Sequence, residues 1–405
     1  MASPNGKMNQ QQNKRNKFKR FQSTKVWVKD LLTMGDKHES IVDRFEKTHV
    51  KQIYTSTKSS PKTSDDPINI LLIDGGGSKG LAAIPMLQAI QEHYVEEGKD
   101  LLGQFDLVGG TSVGGLTGLL ISYYKGMGMP TTSVCAKMKD VGDLIREKCF
   151  SKISFLNLLC CNNLIKGTDS NVVNVLKEDY EKPLRSHSYV PAMVCIASVK
   201  DNEGVIDLNN DNFDMREFEP FIARTYEYPE SSERNINDAL AKSSSDMMLY
   251  EAMAATSAVP LLVDRVRVEV EGKMKIMADG MMFQSCPISL CLDQAERLYP
   301  GRSIGTIINL GFGTDEVNLI ERTVKAAKRI HPKMQFHRVC PSHIMNKFSP
   351  AETSAKKIAR MEVDVKDWLI NNEGISQEIK MTIDSLFSSA PRSFGARENE
   401  DSYSC

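Results

Sequence analysis

The chain has 405 residues, 51 basic and 52 acidic side chains, and 41% hydrophobic residues. At about 150 residues per domain, that length predicts two or three domains, or one large domain with extensions. The balance excludes collagen-like, coiled-coil and wholly disordered classes, and a net charge of −1 gives no global attraction to nucleic acid.

Residues 1–29 hold eight Lys or Arg and no acid, with Lys14, Arg15, Lys17, Lys19 and Arg20 as the dense part. This reads as a disordered basic arm, suited to solvent or to anionic lipid. It lacks the apolar core of a signal peptide, so an intracellular protein is expected. The nine cysteines then read as reduced thiols, mostly core filler, and no CxxC zinc spacing is present. Residues 26–56 are predicted to be helical, with Val26, Val28, Leu31, Leu32, Ile41, Val42 and Phe45 on one face. Residues 57–67 are a linker by composition.

Regular structure begins with an apolar strand at 68–73, a glycine cluster and a helix over 78–96. A second apolar strand at 105–108 runs into a small-residue turn and a helix over 113–124. Further strands are predicted at 190–199, 204–208, 261–270, 274–278 and 304–310. Helices are predicted at 171–179, 247–256, 287–298, 316–330 and 353–371. Strands alternating with helices imply an α/β fold whose mostly parallel central sheet has helices on both faces. The expected division is 1–67 arm, helix and linker; 68–314 main domain; 315–389 helical region; 390–405 frayed tail. No run approaches the roughly 20 apolar residues that span a bilayer.

Asp74-Gly75-Gly76-Gly77-Ser78-Lys79-Gly80 sits between a strand and a helix. Its glycines allow a sharp turn and leave amides unshielded at a helix N-terminus, a place suited to negative charge. Gly75, Gly77 and Gly80 satisfy GxGxxG, so dinucleotide binding stands as an alternative. The acid that reading wants is missing from the next strand end, since Glu92, Glu96 and Glu97 fall in the predicted helix. The Walker pattern fails because Gly80, not Ser or Thr, follows Lys79. Gly110-Thr111-Ser112-Val113-Gly114 is GxSxG after a strand, the context of a nucleophile elbow. The Val113 amide would face a developing oxyanion.

A nucleophilic serine needs a base. His331, His337 and His343 follow both motifs in sequence but lie in a basic stretch with no catalytic-loop signature, leaving a Ser–His–Asp esterase as an alternative. Asp279, at the end of the strand KMKIMA (273–278) and followed by Gly280, is the better candidate. A carboxylate within reach of the Ser112 hydroxyl takes its proton directly. A structural Asp-Gly turn is the alternative there.

DGGGSKG, then GTSVGG, then a distant ADG, resembles the patatin-like phospholipases. Ala254–Pro260 (AATSAVP) and Asn309–Thr314 (NLGFGT) are similar to further segments of that family. Ser170–Tyr180, Val190–Val199 and Asp279–Pro300 look most like its intracellular calcium-independent, gamma-type phospholipase A2 members. The resemblance covers about residues 68–314. It implies a three-layer sandwich with helical N- and C-terminal extensions. It implies Ser112 as nucleophile, Asp279 as its dyad partner, and oxyanion amides from Gly75, Gly76 and Gly77. Asp74, Lys79, Gly80, Gly110, Gly114 and Gly280 would support those motifs. Lys79 replaces the usual Arg, and Asp279-Gly280-Met281 and Gln284-Ser285-Cys286-Pro287 depart from the family pattern.

The implied reaction is fatty-acyl ester hydrolysis of glycerophospholipids through an acyl-enzyme, with no cofactor and no metal. A patatin-fold binding protein without strong activity is the remaining alternative. A phospholipid surface is the expected partner, contacted peripherally. Residues 150–165 carry enough apolar surface for a membrane lip or a core helix, with Cys160 and Cys161 as palmitoylation candidates. Residues 322–360, with ten Lys or Arg and Glu352 as the one acid, suit a solvated face or anionic lipid.

Overall fold

The computed structural model describes residues 41–47, 66–150, 168–186, 189–199, 218–229, 240–259, 263, 265–313 and 316–388. The basic arm, most of the apolar stretch with Cys160 and Cys161, the strand expected at 204–208 and the tail lie outside these residues.

Among the described residues, nine strands form one sheet. Its parallel centre is β3 (Ala192–Val199), β2 (Leu107–Thr111), β1 (Ile68–Ile73), β8 (Ile304–Leu310) and β9 (Gln335–Val339), in that order. β4 (Phe218–Arg224) pairs antiparallel with β3 and carries the short β5 (Lys242–Ser244). β6 (Val266–Val270) and β7 (Lys273–Asp279) form a hairpin that joins through β7.

β1 is apolar at every position but Asn69 because both its faces are covered. Leu71 and Ile73 enter one core, and Ile68, Ile70 and Leu72 enter the other. This is the signature of a parallel strand between two helical layers. The first layer holds α1 (Ala83–Tyr94), α2 (Val113–Gly126), α3 (Thr131–Ile145), α4 (Thr168–Tyr180), α5 (Leu249–Thr256), α9 (Ala355–Asn371) and α10 (Glu373–Ser388). The second holds α6 (Ile288–Leu298), α7 (Val317–Ile330) and the helical residues 41–47, through Ile41 and Phe45. The short α8 (Ser342–Met345) adds Ile344 and Met345 to the first layer. The three-layer α/β architecture is therefore as expected.

Several details differ from the sequence reading. The boundary placed at residue 314 cuts through the sheet, because β9 pairs in parallel with β8 from Thr306↔Gln335 to Leu310↔Val339. The region after 315 is part of the sandwich. β4 escaped because Pro220 argues against a strand interior. Pro220 lies opposite Ala197 but outside the pairing with β5, which begins at Phe221↔Lys242, so its missing N–H is not required on that edge. β9 (QFHRV) escaped because charged and polar residues give it no clean alternation. The basic run 322–360 does not make one face, since α7 and α9 lie on opposite layers. Within it, Arg322 pairs with Asp43 and Glu46, and Lys357 pairs with Glu352.

α2 approaches the end of β1 closely. A Cβ on Gly114 would lie 2.3 Å from the Asp74 carbonyl oxygen and 2.4 Å from that of Ile73. Backbone cannot yield as a side-chain tip can. Gly114→Ala should therefore destabilise the protein by about 1–3 kcal/mol, the range of overpacked cores, in urea unfolding. Gly118→Ala, whose nearest neighbour is Val108 Cγ1 at 3.3 Å, should be near neutral. Equal midpoints for the two variants would contradict the close approach.

Candidate active site

β2 ends at Thr111, and Ser112 follows with φ 58° and ψ −133° before α2 begins. A non-glycine residue in that region carries about 1–3 kcal/mol of strain and needs support. The Ser112 amide donates to Thr256 Oγ1 at 3.0 Å, and Thr256 Oγ1 donates to the Cys195 carbonyl at 2.9 Å. The Ser112 carbonyl accepts from Leu116 N at 3.0 Å. The elbow is thus held from α5 and from the first turn of its own helix. Small residues are required around it. A Cβ on Gly110, Gly114 or Gly280 would fall within 2.4 Å of a backbone carbonyl oxygen. Gly80 packs on Val113, with its Cβ position 3.0 Å from Val113 Cγ1.

Asp279 arrives on a strand that pairs antiparallel with its neighbours, unlike the strands of the parallel centre. Val108–Thr111 of β2 pair in parallel with Ala192–Cys195 of β3, and Met277–Asp279 of β7 pair antiparallel with Ile196–Ser198. β4 occupies the other edge of β3 along this whole length. β2 and β7 therefore share one edge of β3 and run toward each other. Their C-terminal ends meet between Cys195 and Ile196, which brings Ser112 and Asp279 together.

Both side chains are buried, Ser112 at 1% and Asp279 at 0% exposure. Asp279 Oδ1 accepts from the Met281 amide at 2.8 Å, and the Asp279 amide donates to Ala258 O at 3.0 Å. Asp279 Oδ2 and Ser112 Oγ have no hydrogen bond of standard geometry to another described residue. Burial pushes the Asp279 carboxyl up to about 7, a rise that the nearby Ser112 hydroxyl and the Met281 amide partly offset. The Cys195 thiol, also buried there, is pushed up by burial and by the negative charge of Asp279.

The glycine turn leaves the end of β1 beside this pair. A Cβ on Gly75 would stand 3.3 Å from Ser112 Cβ. The Gly75 amide donates to the Ser285 carbonyl at 2.8 Å. This corrects the expectation that all three glycines offer amides: Gly75 provides close approach and an anchor. The amides of Gly76, Gly77 and Val113 make no hydrogen bond to another described residue. Gly77 has φ 56°, and its Cβ position is 2.2 Å from the Pro350 carbonyl oxygen. That carbonyl accepts from Ser78 N and Ser78 Oγ, both at 2.8 Å, so the segment after α8 lies across the turn. Lys79 is half-buried and makes no ion pair among the described residues.

Asp74 is fully buried behind the turn. It accepts from Asn309 Nδ2 at 2.8 Å and from Arg338 Nη2 at 2.7 Å. Burial holds its carboxyl above the usual range, a rise that the Arg338 guanidinium, Asn309 and the Cys286 thiol only partly offset. The Gln284–Pro287 loop after Asp279 is fixed by Glu316, whose carboxylate accepts from Ser285 N at 2.8 Å and Cys286 N at 2.9 Å. Gln284 ties the same loop to Ser289 in the first turn of α6.

Sequence reasoning named neither Arg338 nor Glu316, and no local signal marks them. Thr256 and Asn309 stood in the quoted segments without a role. No hydrogen bond or ion pair joins a described histidine to Ser112 or Asp279. His331 faces Glu296 at 3.5 Å, His337 faces Glu378 at 3.9 Å, and the His343 ring lies 6.1 Å from that of Trp368. Among the described residues no cluster of three or more His, Cys, Asp or Glu is placed to hold a metal ion. No helix among them is long and apolar enough to cross a membrane.

Residues 71–292 match the model of the family described as patatin-like phospholipase. Phospholipase A I of Arabidopsis thaliana is 24% identical over 283 residues, covering 61% of this chain and 21% of the relative. The 85/88 kDa calcium-independent phospholipase A2 of Rattus norvegicus is 41% identical over 85 residues, covering 21% of this chain and 10% of the relative. The chain thus spans about a fifth of the length of the first of these proteins and a tenth of the second. Among solved structures, human GIVD cytosolic phospholipase A2 aligns with 86% of this chain and 67% of its own, at a TM-score of 0.41 and 10% identity. The matched segment covers more than half of the 405 residues and contains the glycine turn, the Ser112 elbow and the Asp279 strand, and on that extent the chain belongs to the patatin-like phospholipase family.

Proposed function

We propose that the chain is a lipid acyl hydrolase in which Ser112 and Asp279 act as a catalytic dyad. The observation that carries this reading is the end-to-end meeting of β2 and β7 on one edge of β3. It sets a strained serine beside a buried carboxyl with a pKa near neutrality. A general base works best with a pKa near the working pH. Catalytic hydrogen bonds often tighten only in the substrate complex, so the absence of a well-formed Ser112–Asp279 bond is compatible with the role.

In this mechanism Ser112 Oγ attacks the ester carbonyl while its proton passes to Asp279 Oδ2. The oxyanion accepts from the amides of Gly76, Gly77 and Val113, which have no competing acceptor among the described residues. Losing one such donor typically costs about 10²–10³ in rate. Asp279 returns the proton to the departing alcohol. Water, deprotonated by Asp279, then attacks the acyl-enzyme and releases the fatty acid. The alternative with a histidine base is disfavoured by the positions of the described histidines. The proposed substrate is a glycerophospholipid, cleaved in phospholipase A fashion at an intracellular membrane surface without calcium. Family membership and the names of the relatives support that class.

The dyad predicts a specific pH profile. Asp279 must be ionised to accept a proton, so kcat/KM on a water-soluble ester should rise through about pH 7, not about pH 4. Asp279→Asn should lower turnover by about 10²–10⁴ and abolish that limb. Ser112→Ala should lose fluorophosphonate labelling. His331→Gln, His337→Gln and His343→Gln should stay within a few-fold of wild type. A histidine variant as inactive as Ser112→Ala, with Asp279→Asn active, would move the protein to the triad class.

Metal independence has its own test. Each step above moves a proton between protein groups and substrate, so excess EDTA should leave ester hydrolysis unchanged. Loss of activity that calcium alone restores would overturn this point.

Peripheral docking on anionic lipid is the proposed mode of access, supported by the composition of residues 1–29. Such attraction acts over about 10 Å at 0.1 M salt. Deleting residues 1–25 should weaken binding to vesicles containing phosphatidylserine, most at low salt, and spare hydrolysis of a soluble ester. Vesicle binding indifferent to both salt and deletion would remove the arm from the docking role.

A further inference from the structure

We infer that Arg338 is a positioning residue for the oxyanion-binding turn, acting through Asp74; this rests on the hydrolase reading above. Three strand ends converge behind the glycines. Asp74 leaves β1, Asn309 lies at the end of β8, and Arg338 belongs to β9. Arg338 Nη2 donates to Asp74 Oδ2, Asn309 Nδ2 donates to Asp74 Oδ1, and Arg338 Nη1 donates to Asn309 Oδ1. The three side chains close a ring, and the Cys286 thiol adds a third contact to the carboxylate.

The ring reaches the turn from two sides. On the β1 side, Asp74 is the residue before Gly75, and its amide is tied to Leu310 O at 3.0 Å. On the β8 side, the guanidinium lies over Gly311, where a Cβ would be 2.7 Å from Arg338 Cζ. The next residue, Phe312, packs on Gly76, whose Cβ position is 3.1 Å from Phe312 Cβ. A shift of the arginine would therefore move Gly76 both through Asp74 and through Phe312.

A buried ion pair is weak evidence for stability, since well-packed apolar residues of similar volume often do as well. What the pair adds here is direction and charge balance. The guanidinium fork fixes two acceptors in one plane, which an ammonium cannot do. It also neutralises a carboxylate standing directly behind amides that must receive an oxyanion. Left unpaired, that negative charge would oppose the developing one.

The test compares Arg338→Met, Arg338→Lys and the double variant Asp74→Asn with Arg338→Met. The readouts are thermal unfolding and separate kcat and KM on a p-nitrophenyl ester. Arg338→Met leaves a buried charge unpaired and should lose stability as well as rate. The double variant removes that charge, so its unfolding midpoint should return toward wild type. Its kcat should stay down by about 10², the size of effect expected from small misplacement of reacting groups, with KM within a few-fold. Arg338→Lys should recover part of kcat. A double variant with wild-type kcat, or kcat losses that follow the unfolding midpoints across the series, would reduce Arg338 to a structural role. Wild-type protein without Ser112-dependent turnover would overturn the hydrolase reading and this inference together. Ser112-dependent turnover with a fully active double variant would overturn this inference alone.

Discussion

A β-strand has two hydrogen-bonding edges, and β3 divides one of them between two partners. β2 takes Ala192–Cys195 and β7 takes Ile196–Ser198, from opposite directions. Neither strand can extend without displacing the other, so both chains must turn away at the same place. The turn after β2 is the strained Ser112 elbow. The turn after β7 is the 3-10 segment Gly280–Met282 capped by Asp279 itself. The proposed dyad is thus a consequence of strand termination, and the supports from Thr256 and Ala258 come from the α5 region packed over the same junction.

Two fully buried aspartates stand close to this junction, and their surroundings give them different chemistry. Asp74 has a guanidinium, a carboxamide and a thiol as donors. An ion held by such donors is fixed in orientation and suited to holding backbone in place. Asp279 has one backbone donor on one oxygen, and its other oxygen faces Ser112. Burial raises the proton affinity of both carboxyls, and at Asp279, with so little compensation, it carries the pKa to about 7. Two identical side chains, each next to a glycine, become an anchor and a candidate base through the number of donors that reach them.

The sandwich supplies the rigidity that both roles need. Every residue of β1 and β2 is buried, and helices cover both faces. The glycine turn is held at several points. Ser285 O takes the Gly75 amide, Phe312 packs on Gly76, and Pro350 lies against Gly77 and Ser78. Ser285 is fixed in turn by Glu316 at the start of α7. The residues after 315 therefore bear on the site, although the family match ends at residue 292.

Local sequence was sufficient where the signal is local. The apolar run of β1, broken only by Asn69, the glycine cluster and GxSxG turn at strand-to-helix junctions, and the strand ending in Asp279-Gly280 follow from side-chain size, periodicity and backbone permissiveness. So do the helices over 113–126, 288–298, 317–330 and 355–371, apart from a residue or two at their ends. What the sequence could not contain is the pairing of distant edges. Ser112 and Asp279 are 167 positions apart, and only the shared edge of β3 makes them neighbours. The sequence pointed to Asp279 through its strand ending but not to the antiparallel direction of that strand, because strand orientation depends on the partner and leaves no mark in a seven-residue pattern. Gly75, Gly76 and Gly77 read alike as a string, yet the Ser285 carbonyl takes one amide and leaves two. Arg338 sat in a polar stretch as one more basic residue. Its value comes from a carboxylate 264 residues away, which desolvation makes dependent on a donor that only the folded sheet can bring.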